Sequence, residues 1–370
     1  MRAAVLAALV LALAGCGGGA SETAGTFDGS AAQLVPPDAK AFAEVDTKSR
    51  SAAWNPVASL YPQVDLNALR AAAGDALDVA AVGDEIVAFA QPQDEAKLRR
   101  VAARKDYQVQ KIGDWSVVAD EQELFEKIRA ARTGSSLGDD ASFHAATQRA
   151  QGDALAWAFV RVRGSWRTAR VRGDASALRL DVDIPSKQAA YRPLLLRDVP
   201  SGAAAAVSFK DADKLTLPSL PLLDLIPKVR GEGVLYVLPS SLLPTFVLEV
   251  QSPDPDAAET ALRATATKLQ ARFGSVVALR VTRYGQRVVL TNAATSAPSP
   301  GGALVDDQPF KDARAAADAP AKVTWLAYAD IPRLKALLQL LNADAQGLDK
   351  LGQVIAFGTP SHVVVRASLR

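Results

Sequence analysis

Two pairs of adjacent aspartates are the residues whose type and spacing first suggest chemistry. Asp139-Asp140 and Asp306-Asp307 each occur in the pattern Leu-x-Asp-Asp-x-x-Phe, which ends at Phe143 and Phe310. Paired carboxylates can serve acid/base catalysis or bind calcium, but calcium needs six or more oxygen ligands and no oxygen-rich loop accompanies either pair. An aspartate just before a short helix is instead typical of an N-cap, where a second carboxylate favours the helix dipole. We therefore interpret each pair as a helix cap.

A serine motif and two histidines are the other candidates for catalysis. Gly134-Ser135-Ser136-Leu137-Gly138 matches the G-x-S-x-G pattern of hydrolases, which requires a strand, a sharp turn and then a helix. A helical pattern precedes the motif here, and Gly134 looks like its stop signal. His144 and His362 have no second histidine or cysteine at metal-ligand spacing. We expect no catalytic residue, no metal site and no cofactor, and a hydrolase built on Ser136 is the weakest alternative.

A run of arginines is the concentrated basic feature of the chain. In a β-hairpin these residues would share one face, and we interpret that face as solvated and partly neutralised by Asp174, Asp181 and Asp183. The alternative is contact with anionic lipid headgroups or an acidic envelope polymer. The arginines are Arg161, Arg163, Arg167, Arg170 and Arg172.

A leucine-rich segment is apolar enough to line a groove for an acyl chain. We interpret it as ordinary core, where most apolar segments of folded proteins lie, and the groove is the alternative. The candidate groove residues are Leu215, Leu217, Leu220, Leu222, Leu223 and Leu225.

The N-terminus carries an export signal. Arg2 precedes an unbroken apolar run from Ala3 to Ala14, which is too short to span a bilayer comfortably, and Leu13-Ala14-Gly15-Cys16 follows. That ending resembles the lipobox of bacterial lipoproteins, which implies cleavage before Cys16 and lipid on its sulfur. The alternative is an ordinary secretory signal that happens to contain Cys16. We expect a signal peptide over 1–15, a flexible tether over 16–33, and an exported protein anchored by lipid to the cell membrane, facing outside the cytoplasm.

The elements that carry these residues recur along the chain. Each aspartate pair leads into an apolar run with a tryptophan, Trp157 or Trp325, and each half opens on Val-Pro, at Val35 and Val199. The pattern predicts an α+β fold of two degenerate tandem repeats, 34–190 and 191–370, each mainly antiparallel sheet with helices packed on one face. Asp94 and Asp254 are predicted to cap one helix in each repeat, and Asp120 with Glu123 to open another by a capping box.

Composition and resemblance limit the function. A single cysteine permits no internal disulfide, and a formal net charge of +2 on 370 residues gives no electrostatic case for nucleic acid. The Val-Pro openings, the aspartate boxes and the lipobox together resemble a family of exported bacterial proteins of unknown function, which implies no catalytic residues. We expect a non-enzymatic envelope lipoprotein that binds a protein or an envelope polymer. The alternative is a carrier of lipid or another hydrophobic ligand.

Overall fold

The computed structural model describes the chain in two units. Described are residues 30–46, 72–74, 76–104, 106–150, 154–174, 176–212, 227–239, 244–273, 278–293, 302–340 and 350–370. The first unit comprises residues 1–183 with Leu369, and the second comprises residues 184–368 with Arg370. The division thus falls a few residues before the predicted boundary at 190. Cys16 and the leucine-rich segment lie outside the described residues.

The first unit is an antiparallel sheet with three described helices. Alternating apolar positions form its strands, and a glycine at positive φ turns the β4–β5 hairpin at Gly113. Its elements are β1 Ala41–Val45, β2 Leu77–Val82, β3 Glu85–Ala90, α1 Glu95–Ala103, β4 Gln108–Ile112, β5 Trp115–Ala119, α2 Gln122–Thr133, α3 Ala141–Thr147, β6 Ala156–Val162, β7 Ser165–Asp174 and β8 Ala177–Val182.

The second unit has the same kinds of element. Its described helices are also three, but one of them, α6, lies between two strands that follow the aspartate box. The elements are β9 Ala205–Lys210, β10 Glu232–Leu238, β11 Thr245–Gln251, α4 Pro255–Phe273, β12 Arg280–Tyr284, β13 Arg287–Thr291, α5 Gln308–Ala316, β14 Trp325–Asp330, α6 Ile331–Leu340, β15 Leu351–Gly358 and β16 Val363–Leu369.

The strand order is the same in both units. In the first unit the order is β8-β7-β6-β1-β2-β3-β5-β4, and in the second it is β16-β15-β14-β9-β10-β11-β13-β12. The strand that opens each unit therefore lies inside the sheet, between the next strand and one that follows the aspartate box. The α+β class predicted from the sequence is confirmed.

Helices cover both faces of the sheet in each unit, so the prediction of one covered face was wrong. In the first unit α2 and α3 pack on one face through Phe125 and Phe143, whereas α1 packs on the other through Leu98. In the second unit Phe310 of α5 and Leu262 of α4 lie in separate core clusters in the same way. The physical reason is visible in the central strands: every residue of β2 is buried, and a strand with two apolar faces must be covered twice.

A short 3-10 turn packs against the aspartate box in each unit. Ser30–Leu34 precedes Val35, whose carbonyl oxygen accepts a 2.7 Å hydrogen bond from Leu137 N. Leu195–Arg197 precedes Val199, whose carbonyl oxygen accepts a bond of the same length from Leu304 N. Ala31 and Ala32 are buried in the core of the first unit. The predicted tether therefore extends too far, because residues 30–33 belong to the folded body.

The box phenylalanines identify which strand positions correspond. Phe143 meets Phe159 edge-on with ring centroids 5.2 Å apart, and Phe310 meets Tyr328 in the same way at 5.2 Å. Trp157 lies two residues before Phe159, but Trp325 lies three before Tyr328, and side chains alternate faces along a strand. Trp157 therefore lies on the same face of its strand as Phe159, whereas Trp325 lies on the face opposite to Tyr328. The two tryptophans are not equivalent positions, and the sequence alignment that paired them was shifted by one residue.

Helix starts agree with the sequence in part. Asp94 accepts a hydrogen bond from Lys97 N at 3.0 Å, and Asp254 accepts one from Ala257 N at 3.0 Å, so both predicted caps are present. At α2 the cap residue is Glu121, without a side-chain bond, and the predicted capping box at Asp120 is not formed.

Within the described residues, no helix is long and apolar enough to cross a membrane.

Candidate functional site

Asp140 is a helix cap with two further partners. Its Oδ1 accepts from Ser142 N at 2.8 Å and Phe143 N at 3.2 Å, and its Oδ2 accepts from Trp166 Nε1 at 3.3 Å and from Arg161 Nη2. Burial opposes ionisation, but the hydrogen bonds from Ser142, Trp166 and Phe143 outweigh it and hold the pKa of Asp140 well below its usual range. The carboxylate therefore has a structural role, because its bonds join the start of α3 to β6 and β7.

The second aspartate box does not form the predicted side-chain cap. Asp307 stands at the N-cap of α5 without a side-chain bond to the helix, and Pro309 occupies the first turn. A proline has no backbone N–H, so one donor that a cap would engage is missing. Asp307 Oδ2 instead accepts from Arg333 Nη1 at 3.3 Å. The two boxes share a position in the fold but differ in their bonding.

Ser136 lies in a setting unlike that of a nucleophile elbow. The motif joins the end of α2 to a 3-10 turn over Leu137–Asp139 rather than a strand to a helix. Ser136 Oγ bonds Asp139 Oδ2 at 2.8 Å and Gln33 Oε1 at 3.2 Å. The backbone and side-chain hydrogen bonds of Ser136 lower the pKa of Asp139. The hydroxyl thus serves a local capping box.

The histidines lie in different units. His144 is an exposed residue of α3 in the first unit. His362 belongs to the second unit, where its Nδ1 lies 2.9 Å from Thr359 Oγ1 and 3.0 Å from Ser361 Oγ. Among the described residues, no group of three metal-ligating side chains is placed to hold an ion.

The five candidate arginines do not share one face. Arg161 lies opposite Trp166 in the β6–β7 ladder, and Arg170 lies opposite Trp157, whereas Arg167 lies opposite Val160. Because faces alternate with period two, Arg161, Arg170 and Arg172 are on one face and Arg167 is on the other. Arg163 lies in the connecting turn at φ 49°. The predicted single basic face was therefore wrong.

The three arginines that do share a face have partners within the first unit. Arg161 bonds Asp140 and lies 4.9 Å from the Trp166 ring centroid. Arg170 lies over Trp157 at 5.5 Å. Arg172 Nη2 donates to Asp181 Oδ2 at 2.8 Å. Arg161 and Arg172 thus each contact a carboxylate of their own unit, and Arg170 lies over an aromatic ring.

A cleft lies beside the aspartate box in each unit. The first cleft has a volume of about 320 Å³, and Gln33, Trp115, Arg132, Ser136 and Asp139 are among its lining residues. The second cleft has a volume of about 610 Å³ and is lined by Arg192, Pro193, Leu194, Arg197, Ala303, Val305, Asp306, Arg314 and Ala321. The second cleft lies entirely within the second unit.

The two clefts occupy corresponding places but carry different side chains. Gln33 and Arg197 each stand two residues before the valine whose carbonyl oxygen bonds the box. Asp139 and Asp306 each end the 3-10 turn of the box. Asp139 accepts a hydrogen bond from Ser136 Oγ, whereas the Asp306 side chain is 75% exposed and its Oδ1 lies 4.0 Å from Lys311 Nζ. The carboxylate of the second box therefore lies largely in solvent, whereas that of the first box is held by Ser136.

The arginines of the second cleft have no carboxylate partner among the described residues. Arg192 and Arg197 are exposed, and Arg314 is partly buried. Arg314 Nη2 donates to Pro320 O at 3.0 Å, and burial lowers the pKa of its guanidinium. Leu194 is 50% exposed beside them. The sequence analysis missed this site because Arg314 lies far along the chain from Arg192, although the flanking of Pro193–Leu196 by two arginines was a signal.

Carboxylates of the sheet hold the turn that carries Leu194 and Arg197. Glu232 Oε1 accepts from Leu195 N at 2.7 Å. Arg287 Nη1 donates to Asp198 Oδ2 at 2.8 Å and to Glu249 Oε1 at 3.2 Å. Burial raises the pKa of both glutamates. One wall of the second cleft is thus fixed to β10 and β13 by polar contacts.

Comparisons with known proteins give little guidance. No protein-family model matches the chain, and no curated protein matches it. Among solved structures, crystal form I of TP0453, a Treponema protein, gives a TM-score of 0.24 at 10% identity over 73% of this chain and 92% of that chain. Crystal form III of TP0453 gives 0.21 at 10% identity over 74% and 94%. At these TM-scores the likeness carries no argument about fold or function.

Proposed function

We propose that this protein is an exported, non-enzymatic lipoprotein, anchored through lipid on Cys16, that acts by binding an envelope ligand in the second cleft. The observation that carries the proposal is the contrast between the two units. In the first unit Arg161 and Arg172 are paired with carboxylates, whereas Arg192 and Arg197 line a cleft without a carboxylate partner among the described residues. Its volume of about 610 Å³ lies within the usual range for ligand pockets.

The proposal includes a duplication of the α+β body. The common strand order, the matching 2.7 Å bonds of Leu137 and Leu304, and the matching aromatic pairs of Phe143 and Phe310 support two tandem repeats. In such a duplication one copy can keep a structural role while the other diverges in side chains. The side chains of the second cleft differ from those of the first in the way that such a division of roles requires.

Anchoring is tested at Cys16. In a bacterial host that processes lipoproteins, the wild-type chain is expected to incorporate an alkyne-labelled fatty acid and to fractionate with the membrane. Cys16→Ser removes the sulfur that would carry diacylglycerol, so this variant is expected to lose the label. A wild-type chain without label, or a variant that keeps it, would refute the anchor.

Binding is tested by native mass spectrometry. The mature chain carrying Cys16→Ser is incubated with an envelope extract of its source cell, and a bound mass is expected. Arg197→Gln gives the second cleft the residue that the first cleft has, and should lower the fraction of protein that carries that mass. Arg104→Ala removes an exposed arginine at the end of α1 and serves as the charge-matched control. A protein that stays bare, or a bound mass that Arg197→Gln does not affect, would count against the proposal.

A further inference from the structure

We infer that the ligand of the second cleft is an anionic amphiphile, with a phosphate or carboxylate oxyanion held by the arginines and an apolar chain lying over Leu194. This inference rests on the proposed binding function and specifies its ligand. The lining of the cleft brings together three side chains with fixed positive charge and a group of apolar ones.

The charge of the second cleft favours an oxyanion. Three guanidinium groups, of Arg192, Arg197 and Arg314, face one carboxylate, of Asp306, among its lining residues. Guanidinium groups pair with phosphate and carboxylate through two parallel N–H···O bonds, which suits a planar donor fork. Asp306 is directed largely to solvent, since its side chain is 75% exposed. The cleft therefore keeps a positive excess that a ligand can neutralise.

Arg314 is the residue best placed to gain from an anion. Its burial disfavours the charged guanidinium, and the structure gives it one hydrogen bond among the described residues, from Nη2 to Pro320 O. That leaves Nε and Nη1 as donors for a ligand. A partly buried charge without a counterion is costly, and an oxyanion in the cleft would offset that cost.

The apolar lining calls for more than a free ion. Leu194 is 50% exposed, and Pro193, Val305 and Ala321 also line the cleft. A chain that covers such surface gains about 25 cal/mol for each Å² removed from water. Inorganic phosphate would fill only a small part of about 610 Å³ and would leave Leu194 in water. The combination fits a molecule with both a charged end and an apolar end.

The first cleft provides an internal comparison. There Gln33 stands in the place of Arg197, and the box carboxylate of Asp139 is bonded to Ser136. Arg132 is the single arginine of its lining. The first cleft is also about half as large, at about 320 Å³ against about 610 Å³. The oxyanion site is therefore assigned to the second unit alone.

Calorimetric titration of the mature chain carrying Cys16→Ser tests the ligand class. The probes are dihexanoyl phosphatidylglycerol, dihexanoyl phosphatidylcholine, hexyl phosphate and inorganic phosphate, each below its aggregation concentration. We expect the phosphatidylglycerol or the hexyl phosphate to bind at least about tenfold more tightly than both the phosphatidylcholine and inorganic phosphate, a difference of about 1.4 kcal/mol. Tighter binding of the phosphatidylglycerol assigns the ligand to membrane lipid, and tighter binding of hexyl phosphate assigns it to a soluble phosphate ester.

Variants separate the two ends of the ligand. Arg197→Gln should weaken every anionic probe by about tenfold, as loss of one charged hydrogen-bond partner does. Leu194→Asn should weaken the amphiphiles and leave inorganic phosphate unchanged. Arg104→Ala is the control and should bind as the unaltered chain does, and melting curves verify that each variant is folded.

The outcomes distinguish this inference from the function on which it rests. Phosphatidylcholine bound as tightly as the better of phosphatidylglycerol and hexyl phosphate, or inorganic phosphate bound as tightly as that better probe, would overturn the ligand class. If no probe binds but an envelope extract supplies a mass that Arg197→Gln reduces, the cleft binds another class of ligand and only this inference fails. If neither probes nor extract bind, both proposals fail.

Discussion

Asp140 connects three elements of the first unit through one carboxylate. It caps α3 through the N–H groups of Ser142 and Phe143, and it bonds Arg161 of β6 and Trp166 of β7. The ring of Phe143 packs against Phe159 and Trp166 at the same place, both at 5.2 Å. The polar and the aromatic contacts therefore hold the same helix to the same strands.

Asp140→Ala is expected to destabilise the first unit by about 1–3 kcal/mol, because it removes a helix cap and leaves Arg161 without its carboxylate. Hydrogen exchange of the peptide over residues 141–147 in increasing urea measures the effect locally. Asp307→Ala is the matched change in the second unit and should cost less than Asp140→Ala, because no side-chain cap is present there and Arg333 keeps Asp330 as a partner at 3.4 Å. Equal losses in the two variants would contradict this account.

For single residues, the sequence predicts which aspartate caps a helix, but it does not predict the partners that such a residue has far along the chain. The aspartate before Phe143 has the spacing of a cap, so its role followed from local pattern. Its bond to Arg161 joins residues 21 apart and depends on how β6 lies beside α3. At Asp307, Pro309 removes one of the N–H donors that the matching cap of Asp140 engages, and the placement of Arg167 follows from the period of a strand. Both features are present in the sequence.

Two glycines occupy corresponding bends before β2 and β10. Gly74 has φ +79° and Gly231 has φ +107°. A Cβ at Gly74 would lie 2.1 Å from Gln91 O, and one at Gly231 would lie 2.1 Å from Gln251 O. Gln91 directly follows β3, and Gln251 is the last residue of β11. Both oxygens are backbone atoms, so neither can move away without shifting the sheet. Each bend therefore requires glycine twice over, for its dihedral angle and for its space.

Gly74→Ala and Gly231→Ala are each expected to destabilise their own unit by more than about 2 kcal/mol, since a left-handed conformation alone costs about 1–2 kcal/mol. Gly83→Ala is the control: Gly83 has φ +63°, and a Cβ there would meet nothing within 4 Å. It should cost only the conformational part. Calorimetric unfolding of the three variants measures the difference, and a Gly83→Ala variant as unstable as the others would show that the close approach is unimportant.

Helices and hairpins were largely readable from the sequence because their signals are local. The face of α2 that carries Leu124, Phe125 and Ile128 is buried as the 3.6-residue period predicted. The covering of both sheet faces was harder to anticipate, because a short apolar strand such as β2 looks the same whether one or both of its sides are packed. Helix α1 covers the second face because β2 is apolar on both of its sides.

Acid should affect the two units in opposite directions. In the first unit, burial opposes ionisation of Asp181, but hydrogen bonds from Arg172 and Arg179 lower its pKa below the usual 3.8, and the pKa of Asp140 is lowered as well. A carboxyl with a depressed pKa stabilises the fold above its unfolded pKa, and that contribution disappears as pH falls through the folded value. The first unit should therefore lose stability below about pH 4.

Glu232 and Glu249 of the second unit behave in the opposite sense. Burial raises the pKa of each above the usual 4.5, so the folded state holds these protons more tightly than the unfolded state does. Their contribution is fully present below pH 4.5 and is lost as pH rises through the raised values. Urea midpoints of each unit, read by hydrogen exchange of unit-specific peptides after equilibration at pH 7, 5 and 3, should show the second unit outlasting the first in acid. Earlier loss of the second unit would exclude this assignment.

For the whole molecule, the sequence predicts two similar bodies, but it does not predict the second cleft. The repeated Leu-x-Asp-Asp-x-x-Phe pattern pointed to two similar bodies, and the described units have the same strand order. The second cleft depends on Arg192, Val305 and Arg314 meeting in space, which no local pattern in the chain encodes. Of the arginines that cluster in the sequence, Arg161 and Arg172 are paired with carboxylates of the first unit.

The position of the opening strand also sets the order of events during folding. β1 lies between β2 and β6, with Ala41 paired to Val160, and β9 lies between β10 and β14, with Ala205 paired to Ala329. Such pairings have high contact order, because the chain must close a long loop before the contact repays its entropy. Each sheet can therefore be completed only after nearly all of its own unit has emerged. A chain that delays its central pairing in this way stays unfolded for longer, as the export proposed above requires.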